Sequence, residues 1–246
     1  MNTVHISRGE DISKVTLPGG VTLLCQHVPD ALSVAVGIWV RSGSRDEDPG
    51  QHGITHFLEH MVFKGTEQRS ALELALALDR IGGQLDAFTT KELTCFTARV
   101  LAEYFDTALD VLSDMLLAPS LDAALIETEK QVVVEEIRNV FDDPDDLIHE
   151  LASAEIYGTH PAGRPILGTE ASVNAFDSEG LRDFLDRRYT AGNIVISVVG
   201  PLGHADLRER IESRFAARPG EKLTRPRLPT PPAVARPAVL SRDLQP

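Results

Sequence analysis

The stretch Gly53-Ile54-Thr55-His56-Phe57-Leu58-Glu59-His60-Met61-Val62-Phe63-Lys64 constrains this chain more than any other. At about 100° per residue, a helix here gathers Ile54, Phe57, Leu58, Met61 and Val62 on one face and sets His56, Glu59 and His60 within roughly 100° of one another on the other. The apolar face demands a layer beneath it. The polar face cannot sink into the same core, because buried charge that is neither paired nor metal-bound is costly. Gly65 is placed to stop the helix. Two histidines four apart can turn imidazole nitrogens toward one metal ion, and the glutamate between them can reach a water on that ion.

A catalytic zinc takes three protein ligands and a water, so a further ligand is expected. The long helical stretch Ala123–Phe141 offers it. Glu129 and Glu136 are seven apart and fall within about 20° of each other. The pattern predicts that they share a face with Leu125, Val132, Val133 and Val140, while Glu127, Gln131 and Arg138 take the opposite side. A carboxylate on an apolar face points to pairing or metal binding. Glu135, about 100° away, is the weaker candidate.

The remaining pattern fills in the layers. Val15–Leu17 and Val21–His27 form a hairpin about Gly19-Gly20, Ser33–Val40 is a strand, and Leu85–Val100 alternates as a second hairpin. Helices are predicted at Ala71–Ile81, Tyr104–Leu117, Leu147–Tyr157, Ser178–Arg188 and Ala205–Phe215. Pro144 breaks the chain within Asp142–Asp146, Thr159–Gly168 is a loop, and Ile194–Val199 is a strand. Strand pairs among blocks of helices give an α+β fold, with a mostly antiparallel sheet packed against helices. Seven of the chain's fifteen prolines lie from Pro219 onward. The division expected is therefore a domain over 1–216 and a proline-rich linker over 217–246, with a new strand starting at Ala238–Leu240.

The net charge of −13 and the absence of a basic stripe argue against nucleic acid as a partner. The longest apolar runs are about half of the roughly 20 residues that span a membrane, so no membrane association is expected. Two cysteines, Cys25 and Cys95, give no disulfide framework. No nucleophile elbow, phosphate-binding glycine loop or CxxC pair is present.

These residues carry a family resemblance. His56-Phe57-Leu58-Glu59-His60 is the H-x-x-E-H order of inverzincins, and 76 positions separate His60 from Glu136. The whole run Gly53–Thr66, Val132–Arg138 with its following acidic segment, Tyr157–Thr169 and Tyr189–Gly200 resemble the N-terminal half of bacterial zinc peptidases of the pitrilysin and mitochondrial-processing-peptidase type. The resemblance implies one zinc ion per chain on His56, His60 and Glu136. It implies Glu59 as general base, and Glu129 as a carboxylate behind the ligands. Asp86-Ala87-Phe88-Thr89 stands where the family has an Asn-Ala-x-Thr edge strand that pairs with substrate backbone; Asp in place of Asn is a departure. The expected activity is zinc endopeptidase on peptides or unfolded segments. A C-terminal half or partner subunit, bearing an Arg/Tyr pair, would close a chamber over the site. A bacterial cytoplasmic location is expected, since MNTVHISRGEDISK has no apolar core. Two alternatives remain: a non-catalytic subunit of a peptidase complex, and a lyase resembling S-ribosylhomocysteine lyase. The lyase takes a distant cysteine as its third ligand, whereas Cys95 follows His60 by only 35 positions.

Overall fold

The computed structural model describes residues 4–5, 12–215, 220 and 222–225. In chain order the elements are β1 (Val4–His5), β2 (Ile12–Thr16), β3 (Thr22–His27), β4 (Ser33–Val40), α1 (Ile54–Val62), α2 (Ala71–Asp79), β5 (Gln84–Thr89) and β6 (Thr94–Leu101). There follow α3 (Phe105–Leu117), α4 (Ala123–Asp142), α5 (Pro144–Tyr157), α6 (Glu170–Asn174), α7 (Ser178–Arg188), β7 (Ile194–Gly200) and α8 (His204–Phe215). The strands form one sheet in the order β1-β2-β3-β7-β4-β6-β5. Among the described residues only the β3–β7 pair is parallel, so the sheet is mostly antiparallel, as the pattern predicts.

Period-2 alternation divides the sheet's faces. Leu23, Val34, Val36, Ile38, Phe96, Ala98, Ile196 and Val198 are buried in one core with residues of α1, α3, α7 and α8. The intervening Leu24, Trp39, Thr97 and Ser197 are only partly buried, and Ala35, Arg99 and Val199 are exposed. The central strands can therefore be covered on one face and open on the other. β5, at the sheet's end, pairs only with β6 among the described residues, which leaves its other edge free of them.

Local chemistry sets the helix limits. Asp122 accepts from the amides of Ala124 and Leu125 to start α4. Asp143 caps α5, with Pro144 in its first turn, so the expected break is a clean hand-over between two helices. The five-residue α6, capped by Thr169 and Ser172, is too short to show as periodicity.

One expectation is corrected. The buried stripe of α4 is Ile126, Glu129, Lys130, Val133, Val134 and Ile137, while Leu125 and Val132 are exposed. The helix is rotated from the predicted apolar face, so Glu129 is inside and Glu136 stands at the margin, its side chain 42% exposed. Ala238–Leu240 lies outside the described residues. Within the expected linker, Gly220 accepts from the amide of Gly192 at 2.8 Å.

Candidate metal centre

α1 is buried along Ile54, Phe57, Leu58, Met61 and Val62, as its periodicity predicts, and it packs against β5, α4 and α7. Gly53 before it has φ 90°, the left-handed region open to glycine. A Cβ there would lie 2.4 Å from the carbonyl oxygen of Leu167, and one on Gly168 would lie 2.2 Å from that of His52. The 159–168 loop thus presses directly on the start of the helix. Gly53 brings no capping side chain, and Glu47 reaches in from outside. Its carboxylate accepts from the amides of Gly53 (2.9 Å) and Thr55 (3.0 Å). Burial pushes this carboxyl up to about 7, against the pull of those amides and of Arg164. Glu47 was not legible as a site residue, since nothing in its sequence position marks it as a partner of α1.

His56, His60 and Glu136 each bring one ligand atom into a group whose members all lie within 4.8 Å of one another. His56 Nε2 is 3.8 Å from Glu136 Oε1, and His60 Nε2 is 3.6 Å from Oε2. At zinc–ligand distances of 2.0–2.1 Å, tetrahedral ligand atoms sit about 3.4 Å apart. The observed gaps are too long for hydrogen bonds and suit an intervening ion. Glu136 Oε2 is buried and has no hydrogen-bond partner, a state costly for a carboxylate oxygen unless a cation completes it. The donor set of two imidazoles and one carboxylate fits zinc.

The neighbours prepare these groups. Burial and the adjacent His60 push His56 down to about 3, which leaves its imidazole neutral. His60 Nδ1 pairs with Glu129 Oε1 at 2.8 Å, and Lys64 Nζ holds the other carboxylate oxygen at 2.7 Å. That contact directs the Nδ1 proton toward Glu129 and leaves the Nε2 lone pair facing Glu136. Burial opposes charge on His60, but the hydrogen bond to Glu129 and the carboxylates of Glu136, Glu129 and Glu59 hold it above its ordinary value. Burial likewise opposes charge on Glu129, yet His60 and Lys64 hold it below the usual carboxylate range. Glu59, not among the clustered ligand atoms, accepts from the Thr89 hydroxyl at the end of β5. Burial raises its carboxyl, the Thr89 hydrogen bond and His60 lower it, and Glu136 and Asp86 raise it further.

His56, His60 and Glu136 therefore meet at one place, with Glu129 hydrogen-bonded to His60 and Thr89 to Glu59. Asp86 and Phe88 lie exposed on β5, Ala87 and Thr89 are half-buried, and Asp86 Oδ1 accepts from the Ala87 amide at 2.9 Å. Glu135 is turned to Arg138 and takes no part. Lys64 was missed, although its position one helical turn beyond His60 was a usable signal.

The family profile of insulinase (peptidase family M16) matches residues 22–170. The chain belongs to peptidase family M16. It is 46% identical over 206 residues to the zinc protease YmxG of Bacillus subtilis, covering 84% of this chain and 50% of that protein. It is 39% identical over 226 residues to a zinc protease of Mycobacterium leprae, covering 92% of this chain and 50% of the relative. The chain thus spans about half the length of these curated relatives. Among solved M16 structures, pitrilysin superposes with a TM-score of 0.80 at 22% identity, over 91% of this chain and 24% of pitrilysin. An inactive M16 domain from Pseudomonas fluorescens superposes at 0.82 and 19% identity, over 87% of this chain and 53% of that one. These structural likenesses concern the fold. Among the described residues no helix is long and apolar enough to cross a membrane.

Proposed function

We propose that this chain is the zinc-bearing half of an M16 endopeptidase. The supporting observation is the convergence of His56, His60 and Glu136 within 4.8 Å, beside an unpartnered buried oxygen of Glu136. His56, His60 and Glu136 would hold one zinc ion, which when bound supplies Lewis-acid activation of water. Glu59, steadied by Thr89, accepts a proton from the attacking water and returns it to the leaving amine. Glu129 and Lys64 hold His60 in the required orientation. The free edge of β5, Asp86–Thr89, receives the substrate as an added strand. Backbone pairing of that kind gives affinity with weak sequence preference.

The ligand set and the base are all retained, which favours this reading over a non-catalytic subunit. The carboxylate third ligand favours it over a cysteine-ligated lyase. The test is metal content with paired variants. Glu136→Gln should lose zinc, because a neutral amide is a poor ligand. Glu59→Gln should keep zinc and lose hydrolysis of a long fluorogenic peptide, assayed with a second half supplied. Undiminished zinc in Glu136→Gln, or near-normal turnover in Glu59→Gln, would overturn the assigned roles.

A further inference from the structure

Arg225, in the described stretch 222–225, contacts the scaffold of the site. Arg225 Nε donates to Asp46 Oδ1 at 2.9 Å and its Nη2 donates to Asp46 Oδ2 at 2.8 Å, a two-pronged carboxylate contact. The same Nη2 donates to the backbone carbonyl of Glu92. The Asp46 side chain is 7% exposed, and Arg225 is the only cation hydrogen-bonded to its carboxylate among the described residues. A planar fork onto a buried carboxylate fixes an angle as well as a distance.

The two loops that Arg225 joins adjoin the two supports of Glu59, the start of α1 and the end of β5. Asp46 precedes Glu47, whose carboxylate caps α1, the helix that carries Glu59. Glu92 lies in the turn between β5 and β6, and β5 ends at Thr89, which donates to Glu59. The loops are already tied by the amides of Ser44 and Arg45, which donate to the carbonyls of Thr90 (3.1 Å) and Lys91 (3.0 Å). Loss of Arg225 should therefore leave the fold standing and loosen the angle between the two supports. We infer that Arg225 is a positioning residue that sets Glu59 against the metal centre by clasping Asp46 and the Glu92 carbonyl. The geometry of the base then depends on how the segment beyond the domain is seated. This inference rests on the peptidase reading.

The experiment compares wild type with Arg225→Met and Arg225→Lys in the chain assayed with its second half supplied. Zinc content, melting temperature, backbone amide exchange, kcat and KM are all read. Arg225→Met should keep zinc and fold, and exchange faster at 43–47 and 90–93. It should lose about 10-fold or more in kcat per bound zinc with KM nearly unchanged, as expected when a catalytic group is misplaced. Arg225→Lys should recover little of this, because a rotatable ammonium lacks the planar fork that fixes the angle to Asp46 while also reaching the Glu92 carbonyl. Unchanged kcat per bound zinc in Arg225→Met, or full rescue by lysine, would overturn the assignment. Should Arg225→Met not fold, Asp46→Asn is read by the same criteria. If wild type shows no hydrolysis, the peptidase reading fails by itself. Amide exchange then decides the clasp, and unchanged protection at both loops would sink it.

Discussion

At the scale of single residues, the site is a chain of hydrogen bonds that ends on a lysine. Lys64 holds Glu129, Glu129 holds His60 Nδ1, and His60 Nε2 faces Glu136. Glu129 is 3% exposed, so its charge depends on the Lys64 ammonium and the His60 Nδ1–H beside it. Lys64→Met leaves a buried carboxylate with His60 alone, and His60 loses its fixed orientation. Zinc affinity should fall about 10-fold or more, the usual scale for groups that orient a ligand. Titration of the purified chain against a zinc chelator reads this directly. Lys64→Arg should retain most of the affinity, whereas equal affinity in Lys64→Met would show that Glu129 needs no cation. The site's membership was legible because helix periodicity alone brings His56, Glu59 and His60 together. Lys64 was within reach of the same argument.

At the scale of elements, Glu47 replaces the cap that Gly53 cannot provide, and its burial has a consequence for pH. Its carboxyl titrates near 7 in the folded chain against 4.5 when free. The folded state therefore binds this proton more tightly, and its contribution to stability is fully present below about pH 4.5. That contribution is lost as pH rises through about 7, with a limit on the order of 3 kcal/mol. Glu47→Gln has no such proton. Relative to the variant, wild type should lose stability between pH 4.5 and 7 in denaturant titrations. A constant difference across that range would rule this out. The capping role could not be read from the chain, because Glu47 acts across a loop closed by Gly168 against His52. The face of α4 was misread for a related reason. Which valines are covered depends on the seating of α1, α5 and α6 against it, and Val132 and Val133 look alike in sequence. Most strands were legible because alternation is a local signal, the two-residue β1 being too short to show it; a substrate-pairing role for β5 could be expected only through the family resemblance.

At the scale of the whole molecule, the proposed metal centre and the proposed substrate edge differ in what they need from outside the chain. His56, His60, Glu136, Glu59 and Glu129 all come from α1 and α4, and one continuous core supports both helices. Folding and zinc binding should therefore need nothing beyond this chain. Hydrolysis should need more, because a metal and a base give little rate to a peptide that is not held in line for attack. Here β5 offers one edge, the partly open face of the sheet has nothing opposite it among the described residues, and the resemblance places an Arg/Tyr pair on a second half. The net charge of −13 should add a long-range preference for basic peptides, screened by salt. The chain alone should melt cooperatively, bind one zinc and cleave a long fluorogenic peptide poorly. Adding a separately expressed C-terminal half should restore cleavage, faster for basic than for acidic peptides and less selectively at high ionic strength. Full activity without the second half would show that β5 and the metal centre suffice to hold a peptide. Rates indifferent to both peptide charge and salt would remove the electrostatic part while leaving the requirement for a second wall intact.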